Sequence, residues 1–420
     1  MLRRLYTALL CLALPFAPLR LWWRGRREPG YRAHIGERFG LFGAASTDPR
    51  PCLWIHAVSL GETRAAQPLA NALMALLPGY RLLVTHMTAT GRAAGEALFP
   101  AASIAFLPYD VPWAMRRLLA HYQPRALILM ETEIWPNLIA ECRRARIPVV
   151  LANARLSARS ARRYGWFASL AQETFGALDR VTAQTEADAE RLRSVGARVI
   201  EVTGNLKFDT PAPADAETLA THFRRQYGQR PVLLLASTRE GEEALILDAL
   251  EHEPLPASTL VVIVPRHPQR FDAVATLIGS RGHALVRRSA DCEVPAETRF
   301  VLGDSLGEMH AYYRACDLAF VGGSLLPLGG QNLIEACAAG APVLIGPSSF
   351  NFAQAVADAI AAGAARQVRD AADLIDTAAI LLADRNRRDA MGAAGRSFTA
   401  MHRGAAARTA VLIASTLRRV

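Results

Sequence analysis

The residues best suited to chemistry follow short apolar runs. Glu62 comes after Leu53-Trp54-Ile55-His56, in the string Ser59-Leu60-Gly61-Glu62, and opens a helical stretch from Thr63 to Leu77. A carboxylate at a helix start is held ionised by the helix dipole and is ready to take a proton from an alcohol. The same Ser-x-x-Glu spacing is also a capping box, in which Glu62 would serve only its own helix. Glu131 and Glu133 follow the run Ala126 to Met130. On an extended chain they share a face and could bind a metal, cap a helix or touch substrate, and without a nearby histidine the metal reading is weak. Lys207 lies in Thr203-Gly204-Asn205-Leu206-Lys207-Phe208-Asp209, after the run Val199 to Val202, and is the single lysine among 48 lysines and arginines. In so arginine-biased a chain, a surviving ammonium points to a compact slot that a guanidinium does not fit. Asn153-Ala154-Arg155-Leu156-Ser157, after Val149 to Ala152, could hold a phosphate or cap the next helix.

A second group of candidates lies in the later half. Leu318 to Val321 breaks into Gly322-Gly323-Ser324, a second glycine pair follows at Gly329-Gly330, and Asn332 to Ala339 reads as a helix. Glycines let the backbone approach a phosphate, the helix start supplies the positive end, and Glu335 could accept from a ribose diol. The alternative is that these glycines only serve tight turns. Arg266, between Pro265 and His267-Pro268, is well placed to meet a phosphate. The turn Leu306-Gly307-Glu308-Met309 could read a base edge with main-chain groups or merely start a helix.

The elements that must carry these residues alternate short apolar runs with amphipathic stretches, as in parallel sheets covered on both faces. Seven runs precede Thr210: Leu53 to His56, Leu82 to Val84, Ile104 to Leu107, Ala126 to Met130, Val149 to Ala152, Val181 to Ala183 and Val199 to Val202. A proline-rich, acidic connector from Thr210 to Glu217 interrupts them. The pattern restarts at Val232 to Ala236, Leu260 to Val264, Arg299 to Leu302, Leu318 to Val321 and Val343 to Ile345. This predicts an α/β chain of two doubly wound, Rossmann-like domains, residues 29–209 and 210–420, with ligands held at the carboxyl ends of the strands in a cleft that the two face. The helical tail from Asp370 to Val420 is expected to close the second domain.

Residues 1–28 form a separate segment. Its apolar stretch Leu5 to Leu19, interrupted by Pro15 and Pro18, is short for a span. Arg3, Arg4, Arg20, Arg24, Arg26 and Arg27 with Trp22 and Trp23 suit a helix lying in an anionic leaflet from the cytoplasm. The formal charge of +10 and pI near 9.8 also fit an anionic partner. Nucleic-acid and zinc signatures are absent, and the six cysteines form no C-x-x-C pair.

In this order the strings HAVSLGET, METEIWPN, NARLSARS, TGNLKFD, VPRHPQRF, GDSLGEM, FVGGSL, GGQN and IGPSSFNF, with LYTALL and RLWWRGR at the start, resemble the Kdo transferases. These are inverting GT-B glycosyltransferases that move 3-deoxy-D-manno-octulosonic acid (Kdo) from CMP-Kdo onto lipid A precursor. The resemblance implies that Glu62 is the general base and that Glu131 and Lys207 stabilise the transition state. It implies contacts to CMP from Pro265, Arg266, Leu306, Gly307, Glu308, Asn332, Leu333, Ile334 and Glu335, no cofactor or metal, and a site on the cytoplasmic face of the inner membrane. One departure is visible, Gln331 standing where the family commonly has histidine. A GT-B enzyme using a UDP-sugar is one alternative and leaves HAVSLGET and NLKFD unexplained; a non-catalytic membrane-surface binding protein that keeps the fold is the other.

Overall fold

In the computed structural model, which describes residues 1–26, 28–44, 47–253 and 255–418, all seven apolar runs of the first half become parallel strands. They are β1 Cys52–His56, β2 Arg81–His86, β3 Ser103–Phe106, β4 Pro124–Met130, β5 Val149–Ala154, β6 Arg180–Ala183 and β7 Ile200–Val202. Their order in the sheet is β3-β2-β1-β4-β5-β6-β7. Alternate side chains leave opposite faces of a strand, so each run feeds two cores. Trp54, Leu127, Leu129 and Leu151 enter one core. Leu53, Ile55, Ile128 and Val150 enter the other.

That second core holds a correction to the expected domains. Beside helix Leu60–Leu76 it contains Ala406, Ala410 and Ile413 of helix Ala405–Leu417, so the end of the tail completes the first unit and not the second. The compact units are residues 1–210 with 403–420, and residues 211–402. Polar contacts secure the return: the Asp209 carboxylate accepts the Gly404 and Ala406 amides at 2.6 and 2.7 Å, and Arg408 donates to the Thr203 carbonyl at 2.8 Å.

The second unit is also parallel throughout: β8 Val232–Thr238, β9 Leu260–Pro265, β10 Leu285–Arg287, β11 Phe300–Leu302, β12 Leu318–Val321, β13 Val343–Ile345 and β14 Ala365–Gln367, in the order β10-β11-β9-β8-β12-β13-β14. The five expected runs are there. The two additional strands, β10 and β14, are the three-residue edges of the sheet and are too polar and brief to stand out as runs.

At the amino terminus the helix is longer than its apolar core suggested. Leu2–Ala13, a 3₁₀ turn Leu14–Phe16 and Ala17–Arg24 follow one another without a break, because Pro15 and Pro18 sit in first turns where a missing N–H is tolerated. The resulting 23-residue stretch is long and apolar enough to cross a membrane. Its polar side is tied to the first unit by Tyr6 donating to Asp110 at 3.0 Å, Thr7 to Asn137 at 3.0 Å and Arg3 to Glu173 at 2.9 Å. Leu5, Leu9, Leu12, Phe16 and Leu19 remain exposed. Arg27 of the basic cluster lies outside the described residues.

Candidate active site

In the first sheet the strand order reverses between β1 and β4, and Glu62 and Glu131 follow these two strands. Ligands of doubly wound sheets bind at such a point. Glu62, in the first turn of helix Leu60–Leu76, accepts the Val58 amide at 2.8 Å and the Ser59 hydroxyl at 3.1 Å. It therefore does part of the work of a cap. It is not held ionised as the dipole argument expected: burial pushes its carboxyl up to about 8, and the charges of Glu131 and Glu133 add to the rise. Burial likewise pushes Glu133 up to about 7. Desolvation outweighs the helix dipole here because the dipole contributes only about 1 kcal/mol or less, under one pKa unit.

Glu131 turns back at the end of β4 with φ 54°, a conformation rare outside glycine. Its Oε1 lies 2.9 Å from Lys207 Nζ. Lys207 is placed by two asparagines. Asn205 accepts the Lys207 amide at 3.0 Å, and Asn153, buried at the end of β5 and itself at φ 54°, accepts the Leu206 amide at 3.0 Å. Asn153 thus does not cap the next helix: its side-chain oxygen pins the lysine loop, and its Nδ2, the end that could donate to a phosphate, is buried. Ser157, the last residue of the same string, caps helix Ala158–Gly165, one of the two roles expected of it. The three residues expected to act together, Glu62, Glu131 and Lys207, belong to one cluster.

In the second unit the reversal lies between β8 and β12. The loop after β12 is the glycine-rich one, and its amides are already in use. The fully buried Glu242 carboxylate accepts the N–H groups of Gly323, Ser324 and Leu325 at 2.6, 2.9 and 2.9 Å, and that of Arg239 at 2.9 Å. A protein carboxylate occupies the nest where a phosphate was expected. The glycines serve close backbone approach: a Cβ on Gly322 would stand 2.7 Å from Thr238 Cα, and one on Gly346 would stand 2.4 Å from the Ser324 carbonyl oxygen.

The nine residues expected to contact CMP lie in three strings that two contacts join. Arg266, exposed just past the Pro265 end of β9, donates from Nε to Gln331 Oε1 at 3.2 Å, which links it to the Asn332 to Glu335 string. Glu335 Oε2 lies 3.9 Å from Nε2 of His310, on the helix Met309–Ala315 that begins directly after Glu308. Gly307 takes φ 87°, Leu306 is exposed, and Glu308 pairs with Arg288 at 3.1 Å. Asn332 accepts the Ile334 amide and donates to Glu335 at 3.0 Å. Leu333 and Ile334 bury their side chains, so they can offer a ligand only main-chain groups.

Residues 33–210 match the model of 3-deoxy-D-manno-octulosonic-acid transferase (kdotransferase), and residues 259–398 match glycosyl transferases group 1. The chain is 48% identical to 3-deoxy-D-manno-octulosonic acid transferase of Bordetella pertussis, covering 97% of each chain. It is 36% identical to the transferase of the same name from Haemophilus influenzae, covering 100% of each. The chain belongs to the Kdo transferase family. Its fold is also that of UDP-GlcNAc 2-epimerase from Neisseria meningitidis, at TM-score 0.61 and 15% identity, over 88% of this chain and 100% of that one.

In this Kdo transferase, sequence reasoning left Glu242 and Asp209 without a role and did not foresee that Asn153 holds the lysine loop. Glu242 stands on no recognisable motif, since three of its four amide partners are 81 to 83 residues away. Asp209 carried a weak signal, an acidic residue two places from the lone lysine.

Proposed function

We propose that this chain transfers Kdo from CMP-Kdo to a hydroxyl of the lipid A precursor, with inversion at the anomeric carbon. The observation that carries this reading is the cluster of Glu62, Glu131 and Lys207 at one sheet reversal, in a chain that is similar to Kdo transferases over its whole length. Glu62 takes the proton of the attacking hydroxyl. A carboxylate whose pKa is near working pH is a more effective base than an ordinary one. The oxygen then forms its bond to the anomeric carbon from the face opposite CMP, which leaves with the bonding pair on its phosphate. Lys207, oriented by Glu131, supplies positive charge for that developing anion.

The residues proposed to hold CMP are Pro265, Arg266, Leu306, Gly307, Glu308, Asn332, Leu333, Ile334 and Glu335. Arg266 is the natural phosphate partner, and Gln331 steadies its guanidinium in the position where the family commonly has histidine. The helix Leu2–Arg24 is proposed to lie along the cytoplasmic face of the inner membrane, its polar side on the protein and its leucines in lipid.

The test is incubation with lipid IVA and CMP-Kdo made in situ, with the product weighed by mass spectrometry. Addition of Kdo by the wild type, and none by Glu62→Gln with CMP binding intact, is the expected result. An E62Q chain that turns over at the wild-type rate ends this assignment.

A further inference from the structure

The corner after β5 carries a feature that the transfer reaction leaves unused. Helix Ala158–Gly165 buries one side, where Ala161 and Tyr164 meet the core and the Tyr164 ring meets Phe175 edge-on. Its other side presents Arg159, Arg162, Arg163 and then Trp166, spaced i, i+3, i+4 and i+7, so they form one stripe. Trp166 is 79% exposed and Phe167 57% exposed. Among the described residues no acidic side chain pairs with these three arginines. Two bare aromatic rings beside three unneutralised guanidinium groups match the interface of an anionic leaflet, where rings sit at headgroup depth and cations meet phosphates.

Two further observations fix the direction. The corner lies at the carboxyl end of the first sheet: it follows β5 directly, and the Glu133 charge reaches Tyr164. The amino-terminal helix leans on the same end, through Asp110 and Asn137 beyond β3 and β4 and through Glu173. Glu173 is six residues past Phe167 on the adjoining helix, a rise of roughly 9 Å.

We infer that residues 158–169 form a second membrane-contact surface, which docks on anionic phospholipid headgroups and turns the carboxyl end of the first sheet toward the leaflet. This deepens the membrane part of the reading above and is independent of its transfer chemistry, because the probe lipids contain no acceptor.

The experiment is hydrogen exchange of the full chain on nanodiscs of phosphatidylglycerol or of phosphatidylcholine. Amides of 158–169 should slow about tenfold on phosphatidylglycerol and not on phosphatidylcholine. R159Q/R162Q/R163Q should remove the slowing while 2–24 stays protected, and should weaken partition into phosphatidylglycerol vesicles about a hundredfold, each arginine contributing about fivefold. W166S/F167S should also lose the slowing, with unchanged melting and CMP binding as the control for folding. Equal exchange on both lipids overturns the proposal. So does slowing only after lipid IVA is added, which makes the corner an acceptor reader, and so does a loss of dimer mass in W166S/F167S, which makes it a contact between copies.

Discussion

Lys207 Nζ lies 2.9 Å from Glu131 Oε1, although the two residues are on loops that leave strands three places apart in the sheet. Neither loop reaches that position freely. Glu131 takes a left-handed backbone, and the lysine loop is held by Asn153 from β5, one of the two strands between. The pair is therefore a product of the sheet, and its geometry is the quantity to perturb.

Lys207→Arg keeps the charge but changes its shape and reach. kcat for Kdo transfer should fall by about 10²-fold, as for a displacement of about 1 Å at a reacting centre. Lys207→Ala and Glu131→Gln should each cost at least as much, and the double variant little more than the worse single, because the two act as a unit. Initial rates followed by product mass check both points. Additive losses would separate the residues.

The pH dependence has a stated sign. Glu62 must be ionised to accept a proton, and its carboxyl sits at about 8, so kcat/KM should rise with pH and level off above that value. Glu133→Gln removes one of the neighbouring charges that raise it, and should move the limb to lower pH. The same carboxyl affects folding: its value is raised above the ordinary 4.5, so its contribution is fully present below 4.5 and is lost as pH rises through about 8. Melting temperature should fall across that window in the wild type and fall less in E62Q.

Asp209 closes the first unit and flanks the lysine loop. Asp209→Asn weakens two charge-assisted bonds to the start of helix Ala405–Leu417, worth roughly 1.5–3 kcal/mol each. Urea unfolding should show the loss, and kcat should fall while the affinity for CMP, measured by calorimetry, stays.

Glu242→Ala leaves four amide donors without an acceptor in a dry site. The second unit should lose at least about 3 kcal/mol, and CMP affinity should fall with it. An E242A chain of unchanged stability would mean that the loop after β12 is built by its glycines alone.

Twelve of the fourteen strands could be read from apolar runs, because a strand buried on both faces leaves a continuous signature whatever it pairs with. β10 and β14, short edges with polar residues, leave none. The catalytic candidates were legible for a related reason: Glu62, Glu131 and Lys207 each stand just past a run. What could not be read depends on partners far along the chain. The amides of Gly323 to Leu325 look vacant until Glu242 is seen against them. The left-handed turns at Glu131, Asn153 and Ser237 carry no glycine to announce them. Helix Ala405–Leu417 has an ordinary amphipathic pattern that does not say which unit it will cover.

That returning helix bears on how the protein is made. A ribosome will have emitted the whole second unit before Ala406, Ala410 and Ile413 emerge to roof Leu53, Ile55 and Leu69. Until then the nascent first unit shows bare aliphatic surface, so it cannot finish folding before the second unit has been synthesised, and a stop codon anywhere before residue 405 leaves that surface open to chaperones.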